Sequence, residues 1–572
     1  LSPCTLPEVE GKAFCGTYEV FENREARSGR KIPLKIVLLP AKGSNRAPDP
    51  VFFLEGGPGA AATMDAAEFA GDPVRARRDI VLIDTRGVGG SNPLSCPIWG
   101  DGTRLDHIFP LDAVTACRDE LRKRADLARY TTAAAMDDVD EVRRYLGYGP
   151  VNLSGASYGT FTAQIFLARH PEAVRSVVLS SVVKPGEPAP LNHARNAQQA
   201  LELLARDCAA EPACHAAFPH FKEEVSTVLD RLAKQPVKVQ VKNPETGRPV
   251  TVALTRSAAA DALRFALYSP DKASQVPLRV HLAAQGDYRE LARTAVMLRF
   301  RLQKGLALGA LFSISCAEDL SRIDPREIPA ATRGTFYGDD RVREQLAVCG
   351  VWPHAPLPAG ERALVHSNVP VLLFSGERGP VTPPADAALV AKGFPHGLLV
   401  TIPHGTHAGA GKCEERLIAD FIERGSTQGL DLSCIKTAPP EPFVTSVAKL
   451  PKGVDNRRKA VNTAAMKTTF DLPDALVRKA KALAAQQGRP LRDLVAEAID
   501  EKVEVTVGGE ADAPKAGEVR REAWERWKSR LERRSDGIWF NPESIDDESF
   551  FRSLEEVRRE PWAKRDPFGS DS

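Results

Sequence analysis

Two residue types in this chain stand in patterns that suit nucleophilic chemistry: a serine set between glycines, and a pair of histidines just beyond an apolar strand. Residues 150–160 read PVNLSGASYGT, an apolar run that enters a Gly155-x-Ser157-x-Gly159 turn and continues into a helical stretch, FTAQIFLARH. A serine on a sharp strand-to-helix turn is held in a strained region of φ/ψ space. Side chains two positions away on either side find no room there, so glycine flanks it twice. The turn lifts the Ser157 hydroxyl clear of the backbone, where a base can take its proton. The base comes from 397–413, GLLVTIPHGTHAGAGKC, which reads as a strand followed by His404 and His407. The other histidines are scattered and read as surface or packing residues.

The elements that must position these groups are legible as apolar runs. Residues 18–40 read as two strands joined at Ser28-Gly29-Arg30, and VFFL (51–54) is a third that opens into Glu55, Gly56, Gly57, Pro58 and Gly59. A glycine-rich loop leaving a strand can turn backbone N–H groups toward a bound oxyanion. Further strands are read in DIVLID, ending at Asp84, in RSVVLSSV (175–182) and in VPVLLFSG from Val369. The roughly 185 residues between the last two carry mostly helical periodicity, as in NHARNAQQALELLARDC. Strands alternating with helices predict an α/β core, and an insertion at that point predicts a helical cap over Ser157.

The 572 residues are enough for more than one domain. A net charge of +2 selects no class of partner. No uncharged apolar run of about 18 residues exists, so no membrane span is expected. The chain opens at Leu1 without a basic and apolar leader, which reads as a processed or trimmed chain. All ten cysteines fall between Cys4 and Cys434, and sequence neighbours suggest the pairs Cys4 with Cys15, Cys96 with Cys117, Cys208 with Cys214, Cys316 with Cys349, and Cys413 with Cys434. An even count in short-range couples predicts disulfides and an oxidising compartment. No CxxC spacing is present, and neither a metal nor another cofactor is expected.

Gly56 to Gly59, then Asp84, Arg86, Gly87, Gly89 and Ser91, then Gly155 to Gly159 together resemble the α/β-hydrolases of the prolyl iminopeptidase and tripeptidyl aminopeptidase group. That group carries His-Gly-Gly-Pro-Gly, Asp-x-Arg-Gly-x-Gly-x-Ser and Gly-x-Ser-Tyr-Gly segments. Glu55 stands where the group has its histidine. The resemblance implies that Ser157 is the nucleophile and that the N–H groups of Tyr158 and Gly57 form the oxyanion hole. Asp84 and Arg86 read as structural ties under the site. The group's last histidine sits a few residues before a cysteine, which favours His407, ahead of Cys413, over His404. Its aminopeptidases hold the substrate's free α-amino group with cap carboxylates, a role that Glu318 and Asp319 would take here; solvated or helix-capping acids are the plain alternative.

The acid of the triad is the departure. Related sequences continue Ser-Gly into a short loop and Asp-Pro-Val-Thr-Pro-Pro, whereas this chain reads SGERGPVTPP, with Gly379 in place of the aspartate. Three explanations compete: Glu377 reaches His407 instead, the change is an inactivating substitution, or the enzyme is slow. The reading favoured here is a crippled hydrolase of exopeptidase type, acting on peptide N-termini. Its alternatives are a carboxylesterase, or an inactive hydrolase whose working part is the C-terminal module.

That module follows a proline-rich stretch and a polar joint. Charge is denser there, with 48 charged residues in the 122 after Leu450 against 104 in the 450 before. From Met466 the chain reads as one short strand and two helices, with Lys467, Thr469 and Asp471 on one face of the strand. Over 466–503 it resembles a ribbon-helix-helix module, which implies a dimer, a DNA operator, and Lys467 and Thr469 at base edges. The tail 504–572, with Trp524, Trp527 and the aromatic pairs at 539–540 and 550–551, resembles the partner-binding tail of antitoxins against PIN-domain toxins, extended or partly helical. The expected organisation is a hydrolase core in 1–185 and 366–450, a cap in 186–365, a linker in 451–465, the module and the tail. A secreted or periplasmic hydrolase joined to a cytoplasmic antitoxin-like part is a conflict of compartments.

Overall fold

The computed structural model describes residues 1–450 apart from 10, 356, 358–361, 408–410 and 438, and beyond them two short strands at 532–533 and 539–540. The ribbon-helix-helix expectation, with Lys467 and Thr469, lies outside the described residues, as does nearly all of the tail. By contact the chain divides into one unit over Leu1–Val461 and another over Asn462–Ser572. In the second, Glu532–Arg533 and Trp539–Phe540 pair antiparallel.

The first unit is built on a nine-stranded mixed sheet. Its strands are β1 (Ser2–Cys4), β2 (Ala13–Phe21), β3 (Lys31–Leu39), β4 (Val51–Leu54), β5 (Ile80–Ile83), β6 (Val151–Ala156) and β7 (Val174–Ser180), then β10 (Val371–Gly376) and β11 (Gly397–Ile402); β8 (Val237–Lys242) and β9 (Pro249–Leu254) pair apart from it. The order across the sheet is β1-β2-β3-β5-β4-β6-β7-β10-β11. β1, β2, β3 and β5 pair antiparallel, and everything from β5 through β4 to β11 is parallel. Parallel strands are covered on both faces, so they read as unbroken apolar runs. IVLI of β5 and VLLFSG of β10 are buried at every position.

β4 is hydrogen-bonded to β5 on one side and β6 on the other, so the chain changes direction across the sheet between them. A crevice opens at such a switch, outside the carboxyl ends of the strands. The glycine loop after β4 and the Ser157 turn after β6 both leave the sheet there.

Two carboxylate ties hold this end of the sheet. Asp84, fully buried, accepts from Thr63 N (2.9 Å), Thr63 Oγ1 (2.9 Å) and Gly90 N (2.8 Å), joining the segments after β4 and β5. Arg86 forks onto Asp138 (2.7 and 2.9 Å) in the helix Thr132–Tyr145 and donates to the carbonyls of Phe21, Glu22 and Arg129.

Between β7 and β10 the chain forms helices, among them His193–Ala210 and Arg256–Ala266, which share an apolar core of their own, and Leu308–Glu318 and Asp340–Val351, whose buried residues join the core on the sheet. The β8–β9 hairpin interrupts them, an element not read within the mostly helical stretch. VKVQVK alternates in polarity and buries alternate residues, the period-2 pattern of a strand. All five cysteine pairs read from the sequence are disulfides, spanning 11, 21, 6, 33 and 21 residues. No helix among the described residues is long and apolar enough to cross a membrane.

Candidate active site

Ser157 sits between β6 and the helix Tyr158–Arg169 at φ 55°, ψ −121°, a conformation L-residues rarely adopt. The turn persists because its surroundings over-determine it. Ser157 N donates to Ser180 O (2.9 Å), and its carbonyl accepts from Thr160 N (2.9 Å) and Thr160 Oγ1 (2.6 Å). A Cβ at Gly159 would stand 1.9 Å from Leu54 O, and one at Gly155 would stand 2.3 Å from Gly159 O. Those contacts, rather than helix propensity, account for the two flanking glycines.

The glycine loop lies against the serine: a Cβ on Gly56 would be 3.1 Å from Ser157 Cβ and 3.7 Å from its Oγ. Tyr158 is the first residue of its helix, so its N–H is among the donors with no acceptor inside the helix.

The Ser157 hydroxyl lies 2.8 Å from His407 Nε2, across 250 residues of sequence. The loop carrying His407 is anchored on both sides. Ser181 Oγ donates to His407 O (2.6 Å), and Thr406 Oγ1 donates to Tyr268 O (2.9 Å). The ring of Tyr268 packs against the imidazole with centroids 4.7 Å apart. Burial, and then the nearby Arg264 guanidinium, push the His407 pKa down from 6.5 to about 3.

His407 Nδ1 faces the Thr382 hydroxyl at 3.0 Å. With the ring proton on Nδ1, Thr382 Oγ1 accepts it and Nε2 is free to accept from Ser157. A hydroxyl also donates, so it tolerates the opposite tautomer, and it carries no charge to stabilise an imidazolium. A carboxylate would do both. Gly379 leaves no carboxyl at the expected position, and a Cβ there would stand 2.5 Å from Thr382 O. The turn 379–382 is therefore closed over the space that an aspartate side chain would need.

Glu377 does not stand in for the acid at His407. Its Oε2 accepts from His404 N (2.8 Å), and its Oε1 lies 3.3 Å from Arg206. The backbone of this tight loop turns the longer carboxylate toward the neighbouring histidine's amide, and Thr382 takes the position at Nδ1. His404 points elsewhere, with its Nδ1 3.0 Å from Asp207 Oδ2 in the cap.

Residues 49–410 match the alpha/beta hydrolase fold family. The chain belongs to that family. This alpha/beta hydrolase is 25% identical to the serine protease Hip1 of Mycobacterium tuberculosis over 482 residues, 76% of this chain and 90% of that protein. It is 31% identical to a proline iminopeptidase of Neisseria gonorrhoeae over 147 residues, 25% of this chain and 37% of that one. A tripeptidyl aminopeptidase of Streptomyces lividans is 32% identical over 120 residues, 19% of this chain and 22% of the relative.

In this alpha/beta hydrolase the cap carboxylates lie on the Tyr158 side of the serine. Glu318 accepts from Thr132 N (2.6 Å) and Thr132 Oγ1 (2.7 Å), and Thr132 Oγ1 is 2.5 Å from Tyr158 Oη. Burial raises the Glu318 pKa to about 7, against the opposing pull of Arg362 and the Thr132 N–H. Arg362 lies 3.4 Å from Glu318 Oε2 and 2.8 Å from Asp319 Oδ1, with its guanidinium over Phe161 at 3.9 Å. A cation of the chain's own already faces the pair.

Reading the sequence missed Thr382, Tyr268, Arg264 and Arg362. Thr382 had a signal, as the threonine of the PVTPP run that follows the vacant acid position. Arg362 had none, being a lone arginine in a connecting segment. Among the described residues no group of three or more His, Cys, Asp or Glu side chains could hold a metal ion.

Proposed function

We propose that the chain is a serine hydrolase of exopeptidase type, cleaving amino acids or short peptides from peptide N-termini. The observation that carries this reading is the 2.8 Å approach of His407 Nε2 to a Ser157 hydroxyl held on a strained turn. Ser157 attacks the scissile carbonyl while His407 takes its proton, then returns it to the leaving amine. The Gly57 and Tyr158 amides receive the oxyanion. The N-terminal register rests on Glu318 and Asp319, where the substrate's ammonium exchanges with Arg362. The partial likeness to the two aminopeptidases supports that register.

The acid limb of the triad is impaired. Thr382 orients the ring without fixing its tautomer, and spoiling the acid in well-studied serine proteases lowers kcat by roughly 10⁴. A second reading, carboxylesterase action, is favoured by Arg362, since an enzyme whose carboxylate pair is already neutralised has no need of a free amino group. Five disulfides fit export to an oxidising compartment.

A fluorophosphonate probe tests the nucleophile. Labelling of the wild-type chain that disappears in Ser157→Ala is expected, and labelling that persists in Ser157→Ala overturns the assignment. Free and N-acetylated versions of one chromogenic aminoacyl substrate then separate the readings: the exopeptidase cleaves the free form at least tenfold faster, the esterase does not.

A further inference from the structure

Charge in the cap is distributed unevenly about Ser157. The acidic pair and Arg362 lie on the Tyr158 side. Beyond His407, on the other side, lie Arg264 and Arg341. Arg264, on the helix Arg256–Ala266, is buried; its NH2 donates to Tyr268 Oη (2.7 Å) and to His193 Nδ1 (3.2 Å), and its Nε has no partner. Its guanidinium is surrounded by rings, 4.9 Å from Phe265 and 5.3 Å from both Tyr268 and Tyr337. Arg341, half-buried at the start of the helix Asp340–Val351, donates from Nε to Gln345 (3.0 Å) and lies 4.6 Å over Phe109.

Among the described residues, neither Arg264 nor Arg341 has a carboxylate within salt-bridge distance. An acid close to both is Asp261, and it is taken: Arg299 lies 2.7 Å from its Oδ2, and Tyr337 donates to its Oδ1 at 2.7 Å. Arg264 is thus buried without a carboxylate in salt-bridge contact, which is costly unless an anion completes the site, while Arg341 is half-buried and keeps part of its hydration. His193 is part of the arrangement. Because Arg264 donates to its Nδ1, the ring proton lies on Nε2 and is available to an acceptor. Burial, with Arg264, Arg341 and His407 adding to it, keeps this ring neutral well below its ordinary pKa.

The position relative to the chemistry decides what the anion belongs to. The imidazole that takes the serine proton later hands it to the leaving group, so the leaving group passes over the ring of His407. Tyr268 covers that ring, and Arg264, His193 and Arg341 stand behind it. We propose that His193 and Arg341, with Arg264 fixing the His193 tautomer and supplying charge, form a carboxylate-recognition site on the leaving-group side of the cleft. This rests on the hydrolase reading above and narrows its substrates to short peptides with an anionic leaving part. An ammonium at Glu318 and Asp319 and a carboxylate here would align a short zwitterionic peptide across Ser157.

The carboxylate has two possible sources, the free C-terminus of a short peptide or an acidic side chain after the scissile bond. Equilibrium binding of Ala-Ala-Ala, its C-terminal amide, and Ala-Ala-Glu amide distinguishes them in the full chain, without requiring turnover. The free acid should bind at least tenfold more tightly than the plain amide, and Arg341→Gln should reduce that ratio below threefold. A gain restricted to the Glu-containing amide supports the site with the side chain as its source. Equal affinity of acid and amide in the wild-type chain, or no binding of any of the three, overturns the proposal. So does a preference that survives in both Arg341→Gln and Arg264→Gln. The wild-type comparison stands if the Arg264 variant fails to fold, and fluorophosphonate labelling reports independently on Ser157.

Discussion

At the scale of single residues, the site turns on what Gly379 and Thr382 do to one imidazole. An imidazole with its pKa held at about 3 is neutral throughout the physiological range, the form that the proposed base requires. Its active form is fully present above that value and is lost only as pH falls through it. The acid limb of kcat/KM should therefore lie well below pH 6.5. Gly379→Asp should raise turnover at least tenfold and move the acid limb upward, because a carboxylate favours the imidazolium. The substitution carries a structural penalty: the new Cβ starts 2.5 Å from Thr382 O, so the turn has to open and the melting temperature should fall by a few degrees. An unchanged pH profile in a folded variant would show that the carboxyl never reaches Nδ1. Arg362→Ala tests the other side of the cleft. With the internal cation gone, the ratio of free to N-acetylated substrate in kcat/KM should rise severalfold, and a ratio that stays flat removes Glu318 and Asp319 from substrate binding. Ser157 and its two glycines were legible in the sequence because their constraint is local. Thr382 was marked only by its place in the PVTPP run; its contact with Nδ1, and the turning of Glu377 toward His404, depend on loop geometry.

At the scale of elements, much of the sheet was readable because its parallel strands are short apolar runs. Val51–Leu54 and Ile80–Ile83 fall where the apolar runs place them. The β8–β9 hairpin escaped because its alternation lies inside a long helical region, and period-2 and period-3.6 signals are hard to separate over six residues. The structural ties expected of Asp84 and Arg86 are more specific than the motif implied. Arg86 joins the end of β2, the segment after β5 and the helix Thr132–Tyr145 through side chains that are all but sealed from water. Arg86→Ala strands Asp138 with Arg24 as its remaining partner. We expect a loss of about 3 kcal/mol, read as a shift in the guanidinium chloride midpoint, since removing one member of a buried pair leaves a charge uncompensated. A loss below about 1 kcal/mol would mean that water reaches Asp138.

At the scale of the whole molecule, five disulfides divide the first unit into closed loops of different length. In the loop-entropy account the 33-residue loop of Cys316–Cys349 is worth about 3–4 kcal/mol and the six-residue loop of Cys208–Cys214 about 2. Replacing the first pair with serine should therefore lower thermal stability more than replacing the second. The reverse order would point to native-state packing around Asp207 as the larger contribution. Pairing was legible because each cysteine bonds to its neighbour in sequence. What escaped was the charge architecture of the cap, where arginines from separate helices converge only in three dimensions.

The link between Asp207 and His404 has a consequence for how the enzyme works. Asp207, at the end of a cap helix beside a disulfide, grips the same short loop that delivers His407, through the ring of His404 and the guanidinium of Arg378. A cap displaced to admit a larger molecule would pull on the strap carrying His407. Admission and readiness would then oppose each other, and bulky substrates would be penalised at the bond-breaking step as well as at the doorway.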